Sequence, residues 1–369
     1  MAERSLAHIE TITAIEPIQG ADLIQLAKLL GWQCVIAKKD DFKVGDRVVY
    51  IEIDSVVPER PEFEFLRARK FRIRTIKLKG QISQGLVLPL SVLPPAKYKE
   101  GQDVTETLGI THHDPESSLH IDTKKRSKLM KFLFRFKIVR KICMPFIVKV
   151  KGSWPHYISK TDEERIQNLG WYKVYNQFKD QHFYVTEKLD GSSATFFYKR
   201  EKVNLLKKFI VGVCSRNQWL KTPDESIWWK IARRYNIEFY LTDYYKKLGH
   251  ELVIQGEIIG SKIQHNKYKL DNDIDFYVFN IINLTDSYHF TLKEMKEFCD
   301  ASGLKTVPVV HEHFILPEDR ETLIVMADGK SLLNPNTDRE GLVFRCIEDA
   351  QKKISFKAIS NKFLLKSEE

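Results

Sequence analysis

Seven consecutive residues, Glu187-Lys188-Leu189-Asp190-Gly191-Ser192-Ser193, hold the most reactive arrangement in the chain. A lysine stands two residues before an Asp-Gly pair, with an apolar run before it (Phe183, Tyr184, Val185) and another after it (194–198). This pattern predicts strand, tight turn, strand, with Asp190-Gly191 as the turn of a hairpin. At the mouth of such a hairpin, burial and neighbouring cations lower a lysine's pKa and make its amine a nucleophile. An ordinary hairpin with a solvated lysine has the same pattern, so other stretches must decide.

Five of them carry matching chemistry. Val213-Cys214-Ser215-Arg216-Asn217 ends an apolar run in a polar, basic tip, and residues 254–260 place Glu257 inside an apolar strand. Residues 275–281 form an aromatic-rich strand around Phe279. Arg339-Glu340-Gly341-Leu342-Val343 repeats the acid at a strand, and Ile354-Ser355-Phe356-Lys357 presents a late lysine. A carboxylate in a strand built for burial is costly unless a cation pairs with it. Glu257 and Glu340 can be offset by Lys188, Lys357 and Arg216 around a nucleotide and a divalent metal. Nucleotidyl transfer makes those demands. A lysine must attack the α-phosphate unprotonated, and the developing charge needs a metal ion and a second lysine. The base needs an aromatic platform, for which Phe279 is the candidate. Each piece alone has a plainer reading: Glu257 as an edge-strand acid, Phe279 as core, Arg216 as a solvated loop arginine.

The elements that must position these groups fall into two regions. Over 369 residues, 43% hydrophobic and 11% aromatic, the chain has the length and composition for two or three folded domains. No apolar run reaches bilayer-spanning length, and residues 1–5 resemble no signal peptide. Five scattered cysteines without Cys-x-x-Cys spacing indicate neither a zinc site nor a disulfide framework, so an intracellular, reducing location is expected. A net charge of +10 suits a polyanionic partner.

Residues 1–108 read as a small all-β domain, an OB-like barrel, with strands near 6–15, 33–37, 47–53, 71–78 and 85–90. Residues 22–30 fit a short helix or a buried strand equally. Along 71–78 the alternation puts Arg72 and Arg74 on one face and Phe71, Ile73 and Thr75 on the other. Such a basic face tracks a phosphate backbone, or protects an edge strand from aggregation. Residues 109–160 read as a connector. It opens with His112-His113, taken as loop surface, and holds the basic, aromatic-laced run 124–137. That run suits a helix lying on RNA or a partner, a nuclear-localisation signal, or a poorly ordered insertion. Residues 161–369 read as mixed α and β. Capping boxes at Thr222-Pro223-Asp224-Glu225 and Thr291-Leu292-Lys293-Glu294 predict helices ending before Gly249 and Gly303. Strands are expected at 251–259, 274–282, 341–346 and 353–359.

The ordered set Lys188–Gly191, Ser215-Arg216-Asn217, Glu257, Phe279, Glu340–Val343 and Lys357 resembles the motifs of the covalent nucleotidyltransferase superfamily of RNA ligases, DNA ligases and capping enzymes. Within it, the runs Gln19–Asp22, Val44-Gly45-Asp46 and Lys79–Leu86 make the chain similar to RNA ligases of the Naegleria/Deinococcus type. The resemblance implies an α+β protein: an N-terminal OB domain before a nucleotidyltransferase domain built on antiparallel sheets. It implies that Lys188 carries AMP through a phosphoramidate bond and that Glu187 contacts the adenine amino group. Asp190, Glu257 and Glu340 are expected to hold magnesium, with manganese as an alternative, through water. Arg216 is expected to engage phosphates or the RNA end, Phe279 to stack on adenine, and Lys357 to neutralise the α-phosphate. Ser355 departs from the frequent Lys-x-Lys form of the last motif, with Lys353 two residues earlier.

The expected activity is ATP-dependent joining of RNA 3′-hydroxyl and 5′-phosphate ends in a nicked duplex, by a monomer that an end-healing enzyme could serve. DNA ligases and capping guanylyltransferases share the first step but place an OB domain after the last motif, where this sequence has twelve residues. A non-catalytic RNA-binding protein would not need Lys188, Glu257, Glu340 and Lys357 together.

Overall fold

The structure is a computed structural model that describes residues 5–113, 151–203, 206–220, 225–261, 263–271, 273–348 and 354–366. The basic run 124–137, the proposed cap at Thr222, and Lys353 lie outside the described residues.

Alternating apolar residues and Gly or Asp turns break the N-terminal region into ten short strands. These are β1 (Ala7–Thr11), β2 (Ala14–Pro17), β3 (Ile24–Leu29), β4 (Trp32–Ala37), β5 (Arg47–Ile51), β6 (Ser55–Val56), β7 (Thr75–Leu78), β8 (Gln81–Gln84), β9 (Leu86–Pro89) and β10 (Thr111–His112). They pair antiparallel as β1-β5-β9, β2-β3-β4, β7-β8 and β10-β6. The ambiguous 22–30 segment is thus strand β3, with a partner on each side. Trp32, Tyr50, Phe63, Ile9 and Ile12 are fully buried within one core.

The strand expected over 71–78 is shorter. Residues Pro61–Arg69 form a 3₁₀ helix, Lys70 and Phe71 have positive φ, and the strand starts only at Thr75. Phe71, Ile73 and Thr75 are buried as the alternation requires, but Arg72 donates to Asp54 at 2.8 Å instead of standing on an open basic face. The pull is electrostatic: Asp54 is half-buried between Arg72 and Arg165, and although burial alone would raise its pKa, the two guanidinium groups hold it at about 2.

The rest of the chain forms two larger sheets. β11 (Lys151–Ser153), β14 (Ser192–Val203), β15 (Leu206–Cys214), β16 (Gln218–Leu220), β17 (Leu252–Gly260), β18 (Ile274–Asn283), β19 (Tyr288–His289) and β20 (Lys305–Thr306) make an eight-stranded sheet in the order β11-β16-β15-β14-β17-β18-β19, with β20 on β18. β12 (Glu164–Arg165), β13 (His182–Lys188), β21 (Val309–Ile315), β22 (Gly341–Cys346) and β23 (Ser355–Ile359) make a five-stranded sheet in the order β12-β23-β22-β13-β21. Most pairs are antiparallel, as the α+β reading expects; β12–β23 and β18–β20 are short parallel pairs.

The helix predicted from Thr222 begins at Ile227, after Ser226, and breaks at Asn236 in the left-handed region. A second helix then runs to Gly249. Trp228 and Ile231 are buried against the large sheet, with Ile227 and Tyr235 beside them. The Thr291–Glu294 capping box is formed in full and starts the helix Leu292–Ser302, closed by Gly303 at φ 67°.

The two regions share packing. Ile359 and Leu364 belong to the N-terminal core, and Ile110 packs there too. Trp32 Nε1 donates to Asn168 at 2.6 Å, and Asn168 donates to Glu52 at 2.6 Å. Behind Glu52, His8 lies 2.7 Å from Glu10 and 3.5 Å from Glu52. Burial disfavours the imidazolium, but the two carboxylates outweigh it and raise the His8 pKa to about 9. A raised pKa contributes stability that is complete below the unfolded value near 6.5 and is lost as pH rises towards 9, by up to roughly 3 kcal/mol. Denaturant unfolding at pH 6.5 and 9 is therefore expected to show a loss that His8→Gln reduces. An equal loss in both proteins would contradict it.

Candidate active site

The Lys188 stretch is not a hairpin. Its two flanking strands belong to different sheets: β13 pairs with β21 and β22, whereas β14 pairs with β15 and β17. Leu189–Gly191 is the crossover between the sheets, and a cleft opens there. Gly191 is required by space, since a Cβ at that position would lie 2.3 Å from the Ile258 carbonyl oxygen and 2.9 Å from Glu257 Cγ. Gly191→Ala must push the Lys188 segment away from β17. It is expected to cost about 1–3 kcal/mol of stability and at least roughly 100-fold in activity. Thermal melts and turnover measured together check this, and a fully active variant would refute it.

Period-two alternation aims the strands into the cleft. On β23, Phe356 and Ala358 enter the core while Ser355 and Lys357 turn the other way. On β22, Leu342 and Phe344 are core and Val343 and Arg345 line the cleft. Glu257 sits on an interior strand of the large sheet, opposite Ser193 on one side and Tyr277 on the other, so it is not an edge-strand acid. Phe279 lies at a β-bulge: Gln255 faces Asn280 and Gly256 faces Val278, leaving Phe279 as the extra residue. A bulge re-aims a side chain, and this ring is half-buried on Tyr268 and Val307 at the cleft wall.

The cleft has a volume of about 310 Å³, the size of a small-molecule site. All eight residues singled out in the sequence line it: Glu187, Lys188, Asp190, Arg216, Glu257, Phe279, Glu340 and Lys357. Lys188 Nζ is 2.7 Å from Glu340. The expected neighbouring cations are replaced by carboxylates. Burial opposes the charge on Lys188, but Glu340, Glu257 and Asp190 outweigh it and hold its pKa above the ordinary lysine value. Asp190 lies 2.9 Å from Lys267, and its pKa is raised, first by burial and then by Glu340. Glu187 is buried, accepts from the Leu332 backbone N–H at 2.7 Å, and has a pKa raised by burial.

Several residues at the site carried no readable signal. Asp162 lies between the two cations expected at the phosphates, bonded to Lys357 and 3.7 Å from Arg216. Its neighbour Glu163 accepts from Arg345 at 2.8 Å and from Ser355, which accounts for the serine in the last motif: it serves Glu163. Arg345 in turn lies over the Phe279 ring, 5.7 Å from its centre. From the N-terminal region, Asp54, Arg72, His112 and His113 also line the cleft, so the His112-His113 pair, exposed at His112, forms part of the cleft wall. A lone acid or histidine in a loop has no period to reveal it; only the fold brings these residues together.

A family model for OB-fold domains matches residues 6–90, and one for RNA ligases matches residues 181–359. No curated protein sequence matches the chain. Among solved structures, a mutant Naegleria gruberi RNA ligase with ATP and manganese is 36% identical over 98% of both chains, with a TM-score of 0.78. Another mutant with ATP and manganese is 37% identical over 100% of this chain and 99% of that one, at a TM-score of 0.79. The same ligase with PPi gives 37% identity over 98% of both chains and a TM-score of 0.77. With an OB-fold domain ahead of an RNA ligase domain and this identity over almost its whole length, the chain belongs to the RNA ligase family.

Proposed function

We propose that the chain is an ATP-dependent ligase that joins an RNA 3′-hydroxyl to a 5′-phosphate through AMP carried on Lys188. The observation that carries this reading is the position of Lys188 Nζ, against Glu340 in a cleft that also holds Glu257, Phe279 and Lys357. The solved relative's structures with ATP, PPi and manganese support it.

In the first step, Lys188 Nζ bonds to the α-phosphorus of ATP and the bond to the β-phosphate oxygen breaks, releasing pyrophosphate. The Lys188 ammonium must first lose its proton to water, because only the neutral amine attacks. When Glu340 and Glu257 are engaged by other charge, Asp190 is the carboxylate left to hold the charge on Lys188, and burial works against it towards the neutral amine. Phe279 would stack on adenine and Glu187 would close the base pocket. Lys357 and Arg216 would exchange Asp162 for the phosphate oxygens. In the second step AMP passes to an oxygen of the RNA 5′-phosphate and the phosphoramidate bond breaks. In the third, the 3′-hydroxyl oxygen attacks that phosphate, its proton is lost, and AMP leaves.

The donor set fits a hard divalent cation. Among the described residues no three His, Cys, Asp or Glu side chains form a ready metal cage. That suits magnesium or manganese, which take one or two carboxylates together with water and phosphate oxygens. Glu257 and Glu340 would hold the ion, with Asp190 beside them, and it would neutralise charge on the transferring phosphate.

The test is sealing of nicked duplexes with RNA or DNA on each side of the nick. Sealing is expected to need ATP, a 5′-phosphate and RNA on the 3′-hydroxyl side. Efficient sealing of an all-DNA 3′ strand would refute the RNA assignment. No helix among the described residues is long and apolar enough to cross a membrane.

A further inference from the structure

The segment after the Glu257 strand is strained where it meets Asp190. Gln264, His265, Asn266 and Lys269 all have positive φ, between 42° and 55°. Each such residue holds an unfavourable backbone conformation for an L side chain. Four within six positions persist only where the surroundings hold them. Here the Asn266 side chain donates to the Leu270 carbonyl at 2.9 Å and accepts from its N–H at 3.0 Å. Asn334 donates to the Lys267 carbonyl at 2.8 Å.

The strained backbone delivers two side chains onto one residue. The Tyr268 hydroxyl accepts from the Asp190 backbone N–H at 2.8 Å, and the Lys267 ammonium lies 2.9 Å from Asp190 Oδ2. Lys267 is itself fixed, 4.2 Å from the centre of the Phe363 ring, next to the Leu364 that enters the N-terminal core. The Lys267 and Asp190 side chains are only 14% and 18% exposed, so solvent screens the pair weakly.

We propose that Lys267 is a positioning residue for nucleotide attachment: it cancels the charge of Asp190 and pins it to the sheet crossover, leaving the cation to Glu257 and Glu340. This role presupposes adenylylation at Lys188. Without Lys267, Asp190 would be a half-buried carboxylate beside Glu340 with Lys188 as its remaining nearby cation, free to draw in a further cation and to shift the Lys188 segment.

The test uses the full chain with Lys267→Met, Lys267→Arg, Asp190→Asn and the Met/Asn double variant. Two quantities are measured: manganese binding without nucleotide, by electron paramagnetic resonance, and single-turnover lysyl-AMP formation. Lys267→Met is expected to bind manganese several-fold more tightly. It should also adenylylate about 10–100-fold more slowly, with the ATP KM nearly unchanged. Lys267→Arg should stay close to the unmodified protein, and in the Asp190→Asn background the Met substitution should add little. Unchanged manganese affinity and rate in Lys267→Met, or fully additive effects of the two substitutions, would overturn the proposal. Absence of lysyl-AMP in the unmodified protein would instead remove the adenylylation reading, while the manganese titration would still report the Lys267–Asp190 coupling.

Discussion

Lys188→Ala is expected to abolish covalent AMP attachment and to lower ATP-dependent sealing by at least about 10⁴-fold, because no other group can replace a missing nucleophile. The same variant should retain measurable joining of a nick whose 5′-phosphate already carries AMP. That step needs the cleft but not a lysine nucleophile. The contrast separates a chemical role from a structural one: Lys188 ends β13 and its ammonium lies in the cleft, so its loss should leave the sheet intact. Equal loss on both substrates would point to collapse of the site instead.

The second large effect is expected at Lys357. Its side chain is 6% exposed, and its ammonium is bonded to Asp162. Removing one donor that meets developing phosphate charge costs about 3–4 kcal/mol, or 10²–10³-fold in rate. Lys357→Ala should therefore slow adenylylation by that factor. It also leaves Asp162 lining the cleft near Arg216 with one cation fewer, so the variant should bind ATP poorly. Asp162→Asn in the Lys357→Ala background should recover part of that binding, and quantitative ATP titrations of the three proteins read it. No recovery would remove Asp162 from the phosphate end of the site.

Much of this site was legible because strand period and residue type agree. The carboxylate Glu257 and the lysine Lys357 stand on apolar strands, and Glu340 directly precedes one, where a charge is conspicuous. Alternation then decides which face each occupies, and the structure brings all eight residues into one cleft. The Asp190-Gly191 turn was misread because Asp-Gly is a strong local hairpin signal. Strand pairing is decided by distant partners, and here β22 and β17 claim the two strands. Arg72 was read as part of a phosphate-tracking face because alternation gives a side, not a partner; its partner Asp54 is eighteen positions away, and the Arg165 that shares Asp54 is 111 positions from it. Asp162 and Lys267 sit in loops without periodicity, and only the meeting of the two sheets gives them a role.

The most direct test of the central claim is to locate the nucleotide. The full chain is incubated with ATP and magnesium, denatured, digested, and its peptides weighed by mass spectrometry, with GTP in parallel. The account predicts one AMP adduct, formed from ATP and carried by the peptide containing Lys188. An adduct on a different lysine, labelling by GTP alone, or no adduct at all would contradict it.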